Sequence, residues 1–216
     1  MGAMDSNSTL KLKYGVDKIL ATLLVVILLP LLVLITVAIL IENLVHSDSR
    51  GPVFIFDRRI TEGRPFRMIK FRTYFVQDDP KHADKIGTTD FINLRAMTSV
   101  GSFLRRYYFD ELPQLINILK GDMSFIGPRP IPEKEYRKIL GCGYRSKSLL
   151  RAGLGGPGQA MKGKMVEFQG GLKADEKLIN LYDQASALKI LLIDFDIMWS
   201  SLKKVIEADG LEDPNR

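Results

Sequence analysis

Gly101–Pro132, GSFLRRYYFDELPQLINILKGDMSFIGPRPIP, decides how this chain is read. At its centre stands the acidic pair Asp110–Glu111. After the pair, Leu112, Leu115, Ile116 and Leu119 recur at i, i+3, i+4 and i+7, which predicts a helix with one apolar face. Gly121 is a natural stop for that helix. Pro113 is tolerated only in a first helical turn, so the helix has to begin close to it. This places Asp110 near the N-cap and Glu111 just inside. The positive end of the helix dipole and free backbone N–H groups there favour an ionised carboxylate and attract phosphate. Such a carboxylate beside a phosphate site is a candidate nucleophile or metal ligand. Gly127-Pro128-Arg129-Pro130 follows as a stiff turn presenting one arginine, the side chain best suited to gripping phosphate. Taken singly, each of these residues reads as an ordinary cap or surface charge; together they make one constellation.

The run Phe109 to Leu115, then Asn117, then Leu119 to Pro130, resembles the signature of the bacterial sugar transferases, the monotopic polyprenyl-phosphate phosphoglycosyl transferases. The match is dense and ungapped, and a weaker resemblance extends from about Lys18 to about Gly210. It implies transfer of a sugar-1-phosphate from a UDP-sugar to a polyprenyl phosphate such as undecaprenyl phosphate, with release of UMP. It further implies Asp110 as nucleophile, a phosphosugar-aspartyl intermediate, and Glu111 as a ligand of Mg²⁺. Two other classes stay open at this point. One is a membrane phosphotransferase working by direct attack; the other is a non-catalytic membrane-anchored scaffold.

Upstream, no residue from Ile19 to Ile41 is charged. As a helix this run is roughly 35 Å long, enough to cross a bilayer. Pro30 stands in its middle and removes a backbone hydrogen bond, predicting a break or kink. Lys11, Lys13 and Lys18 precede the run while Arg50, Arg58 and Arg59 follow it, so the positive-inside rule gives no polarity. The residues alone favour a spanning helix. The resemblance implies a re-entrant one, with both flanks in the cytoplasm. The division expected is a tail over 1–18, a re-entrant helix broken at Pro30 over 19–41, and a catalytic domain over 42–216. The fold class is α/β, as a helix-rich α+β cytosolic domain with that membrane helix and interfacial amphipathic helices. The expected location is the cytoplasmic face of the bacterial inner membrane.

Charge supports the same partners. Lys11, Lys13 and Lys18 cancel Asp5, Asp17 and Glu42, so the net +6 of the chain belongs to the part after the membrane element. A basic domain beside an apolar anchor suits membrane lipids and a phosphorylated substrate. The chain carries no zinc spacing, RNA-binding motif or helix-turn-helix pattern, so no nucleic acid is expected. A homodimer is left open. The single cysteine, Cys142, excludes an internal disulfide.

Further candidates lie on both sides of the centre. Val53–Phe56 and Arg64–Tyr74 read as strands. The latter resembles the family's lysine-phenylalanine-basic-threonine-methionine element. Lys70 and Arg72, two apart, would face one way and could hold a diphosphate. Arg105 and Arg106 diverge by about 100° on a helix, so one faces the site, and Arg105 is chosen. Gln77–Asn93 reads as a polar loop, Glu133–Ile139 as a helix. Leu150–Lys164 resembles a family glycine loop in which Gly153, Gly156 and Gln159 match, and glycines there permit close approach to a nucleotide. Asp183–Ile206 reads as a long helix whose stripe Leu188, Leu191, Leu192, Phe195, Trp199, Leu202 and Ile206 is either core packing or a membrane-interface face. Asp194 and Asp196 read as surface acids.

Overall fold

An apolar helix begins the chain. Helix α1 spans Ala3–Val45, and helical geometry runs on through Pro30. The expected break is therefore at most a bend inside one continuous helix. Proline costs one backbone hydrogen bond, and flanking turns of unbranched and β-branched apolar residues carry the helix past it. Over Ser8–Val45 this helix is long and apolar enough to cross a membrane. The computed structural model describes residues 3–46, 49–75, 97–160 and 168–206. The expected polar loop over 77–93, part of the glycine-rich stretch, and the side chains of Gln159, Leu202 and Ile206 lie outside the described residues.

The remaining elements are short. They are β1 (Phe54–Thr61), β2 (Arg64–Phe71), α2 (Ser99–Arg106), a one-turn 3-10 helix (Phe109–Glu111) and α3 (Gln114–Lys120). Then come β3 (Met123–Ile126), α4 (Glu133–Gly141), α5 (Ser146–Leu149), β4 (Ala152–Gly155), α6 (Pro157–Ala160), α7 (Phe168–Asp183) and α8 (Ala187–Ile206). Strands β1 and β2 pair with each other, as do β3 and β4. The first pair turns on Glu62 and Gly63, both at positive φ, the two-residue connection whose twist suits a hairpin. The second pair is parallel, with Met123 opposite Ala152 and Ile126 opposite Gly155. The architecture is a helix-rich α+β fold carrying a long apolar N-terminal helix.

The chain packs as two compact units. One comprises Met1–Thr22, Arg58–Phe66 and Ile116–Arg216; the other comprises Leu23–Asp57 and Arg67–Leu115. In the second, Ile35 and Ile39 of α1 are buried with Phe71 and Leu104, and Phe109 and Leu112 pack against them. The residues bracketing the acidic pair thus rest on the membrane helix. In the first, Ile126 and Leu150 are buried with Leu178, Ile179 and Tyr182 of α7 and Ile190 of α8. A smaller cluster joins Ile131, Ile139 and Leu172.

Two readings of helix faces change. The buried side of α8 is Ile190, Ile193, Asp194 and Ile197, whereas Leu188, Leu192, Phe195 and Trp199 are exposed. Asp194 is no surface acid: it ion-pairs with Lys13 at 3.0 Å and accepts a hydrogen bond from Tyr182. The buried side of α3 is likewise Gln114, Leu115, Asn117 and Ile118, with Ile116 exposed.

Candidate active site

The turn that carries the acidic pair is built from three constraints. Thr98 caps α2, its hydroxyl accepting from Gly101 N at 2.9 Å. Gly101 is a steric requirement, since a Cβ there would lie 2.1 Å from Thr73 O. After α2 the chain reverses through Tyr108, at φ 58 and ψ 19. A non-glycine residue in the left-handed region costs on the order of 1 kcal/mol or more, strain that surrounding packing has to hold. Glu111 N and Leu112 N then bond the carbonyls of Tyr108 and Phe109, three residues back. That is the 3-10 pattern, and it delivers Asp110 into the protein at 7% exposure.

Asp110 is therefore not the N-cap of α3, which starts four residues later at Gln114. The helix dipole does not hold it ionised. Burial dominates and pushes its carboxyl up to about 6, Glu111 adds to the rise, and Lys70 and Arg105 pull against it. Glu111 takes the Lys70 ammonium at 2.8 Å. Arg105 is half-buried with Asp110 and Glu111 as its charged neighbours, and desolvation lowers its affinity for its proton. Arg106 is exposed, its guanidinium over the Tyr107 ring. The dyad, Lys70 and Arg105 form one charged group: two acids and two bases, with the central acid buried.

Arg72 is not part of that group. Strand β2 ends at Phe71, so alternation along a strand does not reach it. Its guanidinium is buried and donates to Pro52 O at 2.9 Å, Tyr74 O at 2.9 Å and Asn43 Oδ1 at 2.7 Å. It fastens the end of α1 and holds no site for a diphosphate.

Arg129, Gly153 and Gly156 belong to the other unit, and the turn after β3 holds them in order. Gly127 N donates to Gly155 O and Gly153 N to Pro128 O, both at 3.0 Å. A Cβ on Gly127 would lie 2.2 Å from Arg151 O, and one on Gly153 would lie 2.2 Å from Gly127 N. Gly153 thus serves close approach of two backbone segments, in a strand rather than a loop; the expected role toward a nucleotide is not where its missing Cβ is needed.

Residues that the sequence did not mark form two buried clusters. Lys13 Nζ meets Asp17 at 3.1 Å and Asp194 at 3.0 Å, and donates to Ser124 Oγ. Lys147 Nζ meets Asp175 at 3.0 Å. Their partners are 28 to 181 positions apart, apart from the i, i+4 pair Lys13 and Asp17, and no periodicity announces them.

Among the described residues, no group of three or more histidine, cysteine or acidic side chains could hold a metal ion. The donor set present suits the manner in which Mg²⁺ takes one or two carboxylates and completes its shell with water and substrate phosphate oxygens. Asp110 and Glu111 fit that manner, Glu111 sharing its charge with Lys70.

Comparison with known proteins adds the lineage. The family model of the bacterial sugar transferases matches residues 8–208. The chain is 37% identical over 149 residues to the UDP-glucose:undecaprenyl-phosphate glucose-1-phosphate transferase of Escherichia coli (strain K12), covering 67% of this chain and 30% of that one. It is 32% identical over 199 residues to the enzyme of the same name from Caulobacter vibrioides, covering 91% of this chain and 67% of that one. A third relative, 30% identical over 206 residues, is the UDP-N-acetylgalactosamine-undecaprenyl-phosphate N-acetylgalactosaminephosphotransferase of Aeromonas hydrophila, covering 92% of this chain and 44% of that one. The chain thus spans less than a third of the Escherichia coli relative and two thirds of the Caulobacter one. With the motif, the buried Asp110 beside Glu111 and a match over nearly its whole length in agreement, the chain belongs to the bacterial sugar transferase family.

Proposed function

We propose that this chain is a membrane phosphoglycosyl transferase, moving a sugar-1-phosphate from a UDP-sugar to undecaprenyl phosphate and releasing UMP. That is the first membrane step of polysaccharide or glycoconjugate assembly. The relatives' names point to those substrates. The observation that carries the reading is Asp110, buried beside Glu111, Lys70 and Arg105.

The chemistry follows from that group. A carboxylate oxygen of Asp110 attacks the phosphorus nearer the sugar. The bond from that phosphorus to the bridging oxygen breaks, and UMP leaves with the electron pair. An oxygen of the lipid phosphate then attacks the same phosphorus, the bond to Asp110 breaks, and the carboxylate returns. Lys70, Arg105 and Arg129 hold phosphate oxygens and offset charge as it develops. Glu111 would hold Mg²⁺, which when bound supplies neutralisation of the diphosphate.

The membrane reading is that α1 dips into one leaflet with both ends on the cytoplasmic face. Its support lies in the anchoring of each end. Toward its start, Lys13 is buried against Ser124 and Asp194. Toward its end, Glu42 accepts from Val100 N at 3.1 Å and Asn43 from Arg72 at 2.7 Å. Each end is thus tied to residues that follow the helix in the chain. The exposed stripe of α8, with Phe195 and Trp199 stacked, lies in the interface beside it.

The test is isotope exchange. With Mg²⁺, no lipid acceptor and the UDP-sugar this chain uses fastest, radiolabelled UMP should pass into UDP-sugar. In direct attack on a ternary complex, UMP and an enzyme-bound phosphosugar never coexist. Absence of exchange in protein that turns over normally with undecaprenyl phosphate would sink the covalent route and leave Asp110 as a base or metal ligand.

A further inference from the structure

One buried ion pair grips the backbone of Arg129 from both sides. Lys147 Nζ donates to Arg129 O at 2.9 Å and meets Asp175 Oδ2 at 3.0 Å. Asp175 in turn accepts from the Arg129 backbone N–H. Its Oδ1 also takes Gly158 N, at 3.3 Å, from the start of α6. Both side chains are shut from water, Lys147 at 4% exposure and Asp175 at 3%. The two come from separate elements, α5 and α7.

An ion pair in this setting is an expensive choice if stability were its only use. Removing two charges from water costs several kcal/mol per ion, and packed apolar residues of equal volume commonly do as well or better. What the pair supplies that an apolar pair cannot is direction. A cation aimed at the carbonyl and a carboxylate aimed at the N–H of one residue fix the two peptide groups on either side of its Cα. The residue so fixed is the arginine of the Gly127-Pro128-Arg129-Pro130 turn. The prolines at 128 and 130 have their own φ fixed by the ring and donate no backbone hydrogen bond. Arg129 is the position in the turn at which the backbone N–H remains available, and that is where the pair holds it.

We propose that Lys147 and Asp175 are positioning residues for Arg129, setting its backbone so that its guanidinium meets the donor phosphate, and tying that turn to the start of α6. This rests on the phosphate role given to Arg129 above. Lys147 and Asp175 touch no substrate; they act through Arg129. Groups that orient a binding residue typically change activity by about 10- to 100-fold when lost.

A double-mutant cycle tests it, on the full chain in membranes, with melting temperature followed in parallel. The probe is whichever of UDP-glucose, UDP-galactose, UDP-N-acetylglucosamine and UDP-N-acetylgalactosamine releases UMP fastest with undecaprenyl phosphate. Lys147→Met should lower kcat/KM by about 10- to 100-fold in the native background. In an Arg129→Ala background the same substitution should change it by less than about 2-fold, since residues acting through one another are not additive. Lys147→Arg, which keeps a buried cation on the carbonyl, should retain activity within about 3-fold. If Lys147→Met gives unfolded protein by circular dichroism, Asp175→Asn replaces it, keeping the shape and one acceptor oxygen while removing the charge, and is read the same way. An equal loss in both backgrounds, or an unchanged kcat/KM in folded Lys147→Met protein, overturns the positioning role while leaving the phosphate role of Arg129 standing. A fully active Arg129→Ala protein overturns both.

Discussion

Asp110 shows how much a single residue's setting decides. Its place between Phe109 and Glu111 was readable from the motif. Its protonation was not. The proline at 113 suggested a helix start that would stabilise a negative charge, but the chain inserts a separate 3-10 turn first, and burial then governs. The folded value of about 6 lies above the ordinary 3.8. The stability contributed by this one carboxyl is therefore fully present below pH 3.8, is lost as pH rises from there through about 6, and stays absent above. The loss corresponds to about 3 kcal/mol. Asp110→Asn removes the charge at constant shape. In EDTA its melting temperature should exceed that of the native protein at pH 8 and match it near pH 4. The same variant should release no UMP, and in the native enzyme kcat/KM for the nucleotide sugar should fall on the acid side of about pH 6. A variant with near-normal turnover, or a native profile flat through pH 5, would remove Asp110 from the nucleophile's role.

Among the elements, α1, the hairpin strands, α3 and α4 were legible from apolar runs, periodicity and a glycine stop. Faces were harder. Helix α8 is apolar nearly all round between Leu188 and Trp199, so several stripes satisfy the i, i+3, i+4 rule, and only its neighbours select Ile190, Ile193 and Ile197 as the inner one. The outer stripe carries the only tryptophan in the chain, which makes it its own reporter. In vesicles, Trp199 fluorescence should be quenched by lipids brominated near the headgroups and protected from aqueous iodide. Iodide quenching with no effect of brominated lipid would place the outer face of α8 in water. Arg72 was misread because the strand that would have aimed it stops one residue earlier. Arg72→Met forfeits three hydrogen bonds to a cation, each worth about 1.5–3 kcal/mol. The expected result is a loss of about 3 kcal/mol or more in stability, measured by denaturant unfolding in micelles. A stable Arg72→Met protein defective only in nucleotide binding would return Arg72 to the site.

For the molecule as a whole, topology is the property most exposed to test. Cysteines placed singly at Ser8 and Arg50, both exposed, in a Cys142→Ser background should be labelled from the cytoplasmic side alone. Labelling of one from the opposite side would make α1 a span. The contacts that bear on this were illegible for a simple reason: Lys13 finds Ser124 and Asp194 more than a hundred residues away, and nothing local marks a lysine as destined for burial. That distance also sets a timetable for synthesis. The ribosome makes α1 before Ser124 and well before Asp194, the two residues that complete the surroundings of Lys13. During that interval Lys13 has only Asp17, one turn on in α1, as its partner, and the amino-terminal turns remain free to adjust their depth in the lipid. Final seating of the anchor waits for α8, which supplies Asp194. A nascent chain stalled before α8 should accordingly hold its membrane helix without having locked it.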